Sequence, residues 1–313
     1  MARLTFTILG CGSSGGVPRL GNDWGACDPA NPKNRRSRCS LLVQRTTTPQ
    51  DAIAGGTMAG YPTAGGTPAG GTTTVLIDTS PDMRMQLLDA GVGTLDAVIY
   101  THSHADHVHG IDDLRQIVFN TRKRLPVWAD NATQEALLDR FGYAFTQPEG
   151  SPYPAILDMH LLDGPVTIEG AGGPVTLTPF RAEHGAMHAL GFRIGALAYL
   201  PDAVAIPPES WPHLDGLDVW IVDALRRKPH PTHAHLAMTL DWIARARPAR
   251  AVLTNMHVDL DHADLLAELP PHITPAHDGL TITLDLPPDH PPHVTPAQDG
   301  LRIMPAQPPE TPA

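Results

Sequence analysis

The stretch Thr101-His102-Ser103-His104-Ala105-Asp106-His107 decides the fold of this chain. It brings three imidazoles and one carboxylate together within six residues, directly after an apolar run. Such ligands suit zinc or manganese, and two ions about 3.5–4 Å apart can activate a water molecule and bind a phosphoryl oxygen. The first two histidines lie two positions apart and can reach one ion from an extended segment, while the aspartate and the last histidine reach a second. A solvated polar loop in a chain with 17 histidines is the weaker explanation.

Composition and charge narrow the class of protein. The 313 residues can bury a substantial core and suit one large domain or two ordinary ones. With 22 basic and 33 acidic residues the net charge is −11, which disfavours a general nucleic-acid-binding surface. The basic segment 33–38 can still contact a single phosphate.

Cysteine use and targeting signals indicate the compartment. The three cysteines (Cys11, Cys27 and Cys39) do not make a disulfide framework, which fits a reducing environment. Residues 1–9 alternate as a strand does rather than as a secretory signal, and no apolar stretch is long enough to cross a membrane. We therefore expect a cytoplasmic protein without a membrane partner. The sequence leaves the oligomeric state open, with a homodimer among the alternatives.

Strands and helices alternate along the chain, and the middle is rich in predicted hairpins. This order predicts an α/β architecture with mixed sheets. The predicted strands lie at 3–9, 39–44, 75–77, 95–100, 166–168, 175–180, 191–194, 197–200, 220–222 and 251–253, and the predicted helices at 83–90, 107–120, 131–145 and 235–247.

Two segments stand outside this pattern. Residues 46–74 consist almost entirely of Gly, Thr, Ala and Pro, a composition that cannot bury enough apolar surface to offset its ordering entropy, so we predict a flexible insertion. Residues 270–280 recur in similar form at 291–301, and we expect one copy to close the fold. The sequence thus predicts one large domain at 1–284 and a Pro-rich tail at 285–313.

The short motif cannot supply two metal sites alone. A catalytic zinc needs about three protein ligands and an open position. Three further candidates follow predicted strands: His184, Asp202 and His257. Taken singly, each is more simply explained as a solvated polar residue at a strand end.

Taken in order, these residues resemble the metallo-β-lactamase superfamily. The resemblance runs from Leu4 to about Leu284, outside the insertion. Segments 9–19, 35–40 and 76–82 look like the branch that contains the cyclic-phosphate phosphodiesterase of phosphonate breakdown. The resemblance implies an αββα sandwich of two mixed sheets with the site at one edge. It also implies a first ion held by His102, His104 and His184, a second held by Asp106, His107 and His257, and Asp202 bridging both.

Two departures from the family pattern are visible. Asn255 stands where many relatives place the last histidine, and we expect His257, on the same face of an extended segment, to substitute. The loop 21–34 offers only Cys27 where the phosphodiesterase has a cysteine cluster for a structural zinc, so that zinc site is expected to be missing.

The implied function is a hydrolase with two divalent ions, zinc by preference and manganese as the alternative. A water bridging the ions would attack a small cyclic or linear phosphodiester. Asp106 and His233 are the predicted catalytic residues, with His233 as general acid and His235 as its rival.

Three further positions are predicted to assist the reaction. Asp78 is expected to orient a ligand histidine. The loop containing Gly12 and Ser13 either presents N–H groups to a phosphate or forms a tight turn below the metals.

Other functions remain open on the sequence alone. The same fold can hydrolyse a thioester or a lactam, and a non-catalytic metal-binding module is the alternative outside the enzymes. A tRNA-processing nuclease is disfavoured by the net charge of −11.

Overall fold

The computed structural model describes residues 2–47 and 71–286. The strands are β1 (Arg3–Gly10), β2 (Ser40–Thr46), β3 (Thr72–Ile77), β4 (Ala97–Ile99), β5 (Leu125–Ala129), β6 (Leu157–Leu161), β7 (Val166–Ile168), β8 (Val175–His184), β9 (Met187–Ile194), β10 (Leu197–Leu200), β11 (Val219–Asp223), β12 (Arg250–Thr254), β13 (Ile273–Pro275) and β14 (Leu280–Asp285). The α-helices are α1 (Met83–Asp89), α2 (Ala105–Val108), α3 (Leu114–Thr121), α4 (Asn131–Phe145), α5 (Leu236–Ala246) and α6 (His262–Glu268). Short 3₁₀ helices span Pro32–Asn34, Ile111–Asp113 and Pro208–Leu214.

The strands form two seven-stranded sheets. One has the order β14-β1-β2-β3-β4-β5-β6 and the other the order β13-β12-β11-β10-β9-β8-β7. Successive side chains of β3 point to opposite faces of the first sheet, and both faces are covered. Val75 and Ile77 pack into the core shared with the second sheet, whereas Leu76 packs with the helices behind the first sheet. The result is the predicted αββα sandwich.

The direction of the strands brings several chain segments to one edge of the sandwich. β3 and β4 are parallel, and so are β10, β11 and β12. β8 is antiparallel to β9, which is antiparallel to β10, so β8 and β10 run the same way. The carboxyl ends of parallel strands lie together, and this edge is where open α/β sheets bind their ligands. The predicted ligand residues all follow or end these strands.

One predicted helix, 107–120, is wrong in its extent. The structure has α2, a 3₁₀ turn and α3 in its place, because Thr79 inserts its backbone between them. The N–H of Thr79 donates to the carbonyl of His107 at 2.8 Å, and the carbonyl of Thr79 accepts from Gly110 at 2.9 Å. A Cβ at Gly110 would collide with the carbonyl of Ser80, so glycine permits this close approach.

Strands β5 and β6 were not predicted, since Pro126 and the polar residues of 157–161 obscure their pattern. Strand β2 ends at Thr46 and strand β3 begins at Thr72, so both strands reach into the predicted insertion. Residues 48–70 of the insertion lie outside the described residues. The first copy of the duplicated segment forms β13 and the start of β14, and β14 pairs with β1 at the edge of the first sheet. The second copy also lies outside the described residues. No helix in the described ranges is long and apolar enough to span a membrane.

Candidate metal centre

Four of the predicted ligands converge at the edge of the sandwich. One ligand atom from each of His102, His104, His184 and Asp202 lies within 4.8 Å of all the others. Nδ1 of His104 lies 3.1 Å from Nε2 of His102 and 3.0 Å from Nε2 of His184. Oδ2 of Asp202 lies 3.5 Å from Nε2 of His102 and 3.6 Å from Nε2 of His184.

A second group of ligand atoms shares Asp202. Nε2 of His107 lies 3.4 Å from Oδ2 of Asp202 and 3.5 Å from Oδ2 of Asp106. His107 is fully buried, and its Nε2 atom has no hydrogen-bond partner among the described residues. A buried polar atom without a partner is costly in a folded protein, so this nitrogen is placed for a ligand. Asp202 therefore lies between two groups of donors, as the sequence predicted.

Hydrogen bonds on the far side of the rings fix which nitrogen faces the centre. The hydroxyl of Thr101 donates to Oδ2 of Asp78 at 2.8 Å, so it must accept from Nδ1–H of His102 at 2.9 Å. Nδ1–H of His107 donates to the same carboxylate oxygen at 2.7 Å. Nδ1–H of His184 donates to the carbonyl of Thr232 at 2.7 Å. All three rings thus direct Nε2 towards the centre, and in the neutral His102 and His184 this atom carries a bare lone pair. Burial lowers the pKa of His107, but the charges of Asp202 and Asp78 outweigh burial and raise that pKa well above the usual range.

Electrostatics keep most of these rings neutral. Burial, followed by the charge of His107, holds the pKa of His102 well below its usual range, and burial also lowers the pKa values of His104 and His184. Burial raises the pKa of Asp202, but the charge of His107 outweighs this effect and holds the pKa well below the usual value. Neutral imidazoles and an ionised carboxylate are the forms that bind a metal.

The residues present fit divalent metal ions. Nδ1 of His104 lies within 3.1 Å of two nitrogens that carry no proton, Nε2 of His102 and Nε2 of His184, and a shared cation would satisfy this arrangement. Nitrogen and carboxylate donors in this number suit zinc or manganese. The ring partners on the far side, a carboxylate, a hydroxyl and a backbone carbonyl, are those that orient metal-bound histidines.

His233 occupies the side of the centre formed by the second sheet. Its ring centroid lies 4.6 Å from that of His184, and its Nδ1–H donates to Oδ2 of Asp223 at 3.1 Å. Burial lowers the pKa of His233, but the bond to Asp223 and the charge of Asp202 outweigh burial and raise the pKa to about 9. Burial raises the pKa of Asp223 to about 6. Near pH 7 the proton therefore stays on His233.

Among the described residues, His257 forms no hydrogen bond or ion pair with the other six predicted ligands, and its place as the seventh stays a prediction. The prediction assumed an extended segment from 255 to 257, but β12 ends at Thr254 and Asn255 has a left-handed backbone with φ of 59°. The strict alternation that the prediction assumed is therefore broken at Asn255. Nε2 of His257 lies 2.7 Å from Nη2 of Arg19, and its Nδ1 lies 3.2 Å from Oδ1 of Asp259.

Asn255 instead contacts the centre itself. Its Nδ2 donates to Oδ1 of Asp202 at 3.3 Å and to Oδ1 of Asp223 at 3.1 Å. Asn255 thus links the carboxylate shared by the metal groups to the carboxylate that holds His233. Sequence reasoning missed this role, although the position of Asn255 directly after a buried strand is the same signal that pointed to Asp202.

The contacts of Gly12, Ser13 and His235 bear on the alternatives that the sequence left open. The N–H of Gly12 donates to the carbonyl of Ser37 at 2.8 Å and that of Ser13 to the carbonyl of Met256 at 3.2 Å, so neither is available to a phosphate and the loop is a packed turn. His235 is the N-cap residue of α5 and makes no side-chain capping bond.

Asp78 provides a direct test of how the centre is held. It is fully buried, has a φ of 64°, and accepts bonds from both Thr101 and His107. Asn tolerates a left-handed backbone, so Asp78→Asn should fold. We expect this change to weaken metal binding by about 10–100-fold, because it removes the charge that orients His107. Metal titration monitored by elemental analysis measures the effect, with the exposed Asp89→Asn as control. Unchanged affinity would contradict the assigned role.

Comparison with known proteins places this geometry in a family. A model of the beta-lactamase superfamily domain matches residues 73–258. The crystal structure of a diphosphatase from the PhnP family is 34% identical, with a TM-score of 0.74 and coverage of 91% of this chain and 98% of the other. The metallo-beta-lactamase fold protein YhfI from Bacillus subtilis has a TM-score of 0.63 at 18% identity, covering 91% of this chain and all (100%) of the other, which shows the same fold.

A further relative is much longer than this chain. The octanoyltransferase of Porphyromonas gingivalis is 34% identical over 281 residues, which cover 89% of this chain and 51% of that protein. The chain therefore spans about half the length of this relative.

Proposed function

The chain belongs to the beta-lactamase superfamily, and from this premise we propose that it is a hydrolase that uses two divalent metal ions to cleave a small cyclic or linear phosphodiester. The observation that carries the proposal is the position of Asp202. Its Oδ2 atom lies 3.4–3.6 Å from the Nε2 atoms of three buried histidines, the arrangement expected of a carboxylate shared by two ions.

The ligands divide between two positions in this proposal. His102, His104 and His184 would hold the first ion, Asp106 and His107 the second, and Asp202 both. Zinc fits the nitrogen-rich first position best, and manganese is the alternative. Ions bound there would lower the pKa of a coordinated water and polarise a phosphoryl oxygen. The second position has fewer protein ligands than the first, which leaves more of it open to substrate.

The chain's own residues supply the proton for the leaving group. Nδ1–H of His233 is committed to Asp223, so Nε2–H is the proton that His233 can donate. The raised pKa of His233 keeps that proton in place near pH 7. The bond to Asp223 does not depend on Asp202, so it persists when Asp202 binds metal. Asp223 and Asn255 act as positioning residues, because they hold the ring and do not reach the substrate.

Two observations favour a phosphorus ester as the substrate. A 34%-identical relative that this chain covers over 98% of its length is a diphosphatase. Asp106 adds a carboxylate to the second metal position, which favours a hard cation suited to phosphoryl oxygens. A small substrate is also favoured, because a net charge of −11 opposes binding along a nucleic acid.

A second candidate is hydrolysis of an acyl ester or thioester. The 34% identity with an octanoyltransferase favours it, although this chain spans only 51% of that protein. A lactam substrate and a purely structural metal site lack a comparable observation.

A panel of three chromogenic substrates separates these candidates. We expect the purified protein to release p-nitrophenol from bis-p-nitrophenyl phosphate, and to act weakly or not at all on nitrocefin and on an octanoyl thioester. The reaction should stop on addition of a chelator and resume with zinc or manganese. Preferred turnover of the thioester would favour the second candidate, and no turnover of any of the three would contradict both.

We also propose that the protein works in the cytoplasm. Cys11, Cys27 and Cys39 are all unpaired and buried, as in a protein of a reducing compartment. A homodimer remains a proposal that gel filtration can test.

A further inference from the structure

An apolar groove opens between α3, the carboxyl end of α4 and the loop 146–156. It has a volume of about 510 Å³, and its lining includes Arg115, Phe119, Tyr143, Pro148, Tyr153 and Pro154. The three aromatic side chains are 55%, 43% and 71% exposed in that order. Large apolar side chains are common singly on a surface, but a group of exposed rings in one groove marks an interaction site.

Hydrogen bonds hold the walls of this aromatic groove in place. The hydroxyl of Tyr143 donates to Oδ1 of Asp112 at 3.0 Å, and Nη2 of Arg115 donates to the same oxygen at 2.8 Å. The N–H of Tyr153 donates to Oγ of Ser151 at 3.2 Å. Among the described residues, the hydroxyl of Tyr153 has no hydrogen-bond partner. The groove is therefore formed before a partner binds, and one tyrosine hydroxyl is left to bond that partner.

The chemistry of the groove matches a proline-rich ligand. Such segments adopt the polyproline II conformation and bind in grooves lined by aromatic side chains. They make no internal hydrogen bonds, so their carbonyls are free to accept from a tyrosine hydroxyl. The chain has a segment of this composition. Nine of the 27 residues after Leu286 are proline, and residues 305–312 read Pro-Ala-Gln-Pro-Pro-Glu-Thr-Pro.

The course of the strands brings the start of this proline-rich segment and the groove to one edge of the sandwich. β1 and β3 are both antiparallel to β2, so β1 begins at the edge opposite the metal centre. β14 is antiparallel to β1 and ends at that opposite edge, where the N–H of Leu286 donates to the carbonyl of Ala2 at 2.9 Å. β4, β5 and β6 run parallel to β3, so β6 begins at the same edge, directly after the loop 146–156.

The length of chain after Leu286 is sufficient to reach the groove. β14 and β6 are the outermost strands of the first sheet, and six strand spacings separate them by roughly 29 Å. The 19 residues from Leu286 to Pro305 span up to roughly 60 Å when extended, whereas the six residues to Pro292 span no more than about 20 Å. Only the later prolines reach the groove.

Charge favours the same occupant. Arg122 and Lys123 follow α3 directly, three and four positions after Phe119, and both are exposed. The chain after Leu286 has a net charge of −2, with the charged residues Asp289, Asp299, Arg302 and Glu310. An acidic segment beside a basic rim is favourable.

We propose that residues 305–312 of this chain bind the aromatic groove as an intramolecular clasp over the helices of the first sheet. The pair Pro308-Pro309 lies between the rings in this proposal, and the hydroxyl of Tyr153 donates to a carbonyl of the segment. The tether keeps the effective concentration of the segment near the millimolar range, so even weak contacts suffice for occupancy. A polyproline II segment also loses little conformational freedom on binding. The clasp does not depend on the proposed reaction.

Disulfide trapping in the full chain tests the proposal. Ser151→Cys places a thiol at the wall of the groove, and Ala306→Cys places one in the proline-rich segment. The three native cysteines are buried and do not compete. Trypsin releases residues 141–181 and 303–313 as single fragments, because neither contains an internal Lys or Arg. Mass spectrometry therefore identifies the linked pair, and a denaturing gel separates linkage within one chain from linkage between two.

We expect Ser151→Cys with Ala306→Cys to form a disulfide within one chain about tenfold faster than two control pairs, because docking raises the local concentration of the thiol. Leu88→Cys, at a 58% exposed position of α1, combined with Ala306→Cys measures the rate that the tether alone gives. Ser151→Cys with Asp289→Cys combines the groove with a position too close to Leu286 to reach it.

Weakening either partner should slow the trapping. Phe119→Ala removes an exposed ring from the groove, and Pro308→Gly with Pro309→Gly removes the preformed conformation of the segment. Each change should lower the rate by about five- to tenfold, as loss of an anchor does in an interface. Pro291→Gly with Pro292→Gly is the matched control, since this proline pair cannot reach the groove, and it should change the rate by less than about twofold.

Four outcomes would overturn the proposal. Equal rates for the pairs containing Leu88→Cys and Ser151→Cys would show that the groove does not bind the segment. A rate that Phe119→Ala leaves unchanged would show proximity without binding between the rings. Linkage only between two chains, rising with protein concentration, would assign the groove to a second copy. A faster disulfide of Ser151→Cys with Thr57→Cys than with Ala306→Cys would assign it to the insertion at 46–74.

Discussion

Asp202→Ala is expected to abolish turnover and to lower the metal content from close to two ions per chain to one or fewer. Its carboxylate lies within 3.6 Å of the Nε2 atoms of His102 and His184 in the first group and of His107 in the second. Removing it leaves neither position with its full set. The loss of activity should exceed the roughly 100-fold limit for residues that only orient a ligand.

Elemental analysis of the folded protein and turnover of bis-p-nitrophenyl phosphate measure both effects. The exposed Asp163→Ala, in the loop after β6, is the matched control and should keep its metal and its activity. Asp202 is buried, so circular dichroism should first establish that Asp202→Ala is folded. A folded wild-type preparation that never binds more than a trace of metal would contradict the assignment of the whole centre.

Site residues that directly follow a strand could be predicted from the sequence. The cluster 101–107 follows a buried strand, and it was the family resemblance that added His184 and Asp202 to it. The structure brings these two residues together with His102 and His104. The superfamily and the αββα fold are confirmed. The role of Asp78 in orienting a ligand histidine stays a prediction, but the structure supports it with a 2.7 Å bond to His107.

What the sequence could not supply is the backbone conformation after a strand ends. The expectation for His257 depended on residues 255–257 remaining extended, and the structure has a left-handed residue in that segment, Asn255 with φ of 59°. Propensity does not reveal such a residue, because Asn enters the left-handed region only when its surroundings favour it. Here the contacts of Asn255 with two buried carboxylates hold it there.

Pairing between distant residues was also beyond a single sequence. Arg19 and His257 are separated by 238 positions, and nothing in the local pattern of either predicts their contact. Asp223 could have been suspected, since it ends the buried strand β11, but its role depends on where His233 falls in the following loop.

His233→Ala is expected to slow the hydrolysis of a phosphodiester with a poor leaving group by about 10²–10⁴-fold, the usual contribution of a general acid. An alkoxide leaving group needs the proton that His233 carries on Nε2. A p-nitrophenolate departs without a proton, so the loss on bis-p-nitrophenyl phosphate should be much smaller. The metal content should stay unchanged, because His233 is not one of the proposed ligands and its ring is hydrogen-bonded to Asp223.

The ratio of the two losses, measured on an alkyl and a p-nitrophenyl ester of the same phosphate, is the diagnostic quantity. His235→Ala is the matched control, since His235 is a histidine two positions away that caps α5 without a side-chain bond, and it should alter neither rate appreciably. Equal losses on both esters in His233→Ala would mean that the ring positions substrate rather than donating a proton. If the two esters differ more in His235→Ala than in His233→Ala, the general acid is His235. The hydrogen bond between His233 and the buried Asp223 would then serve to hold the loop that ends at α5.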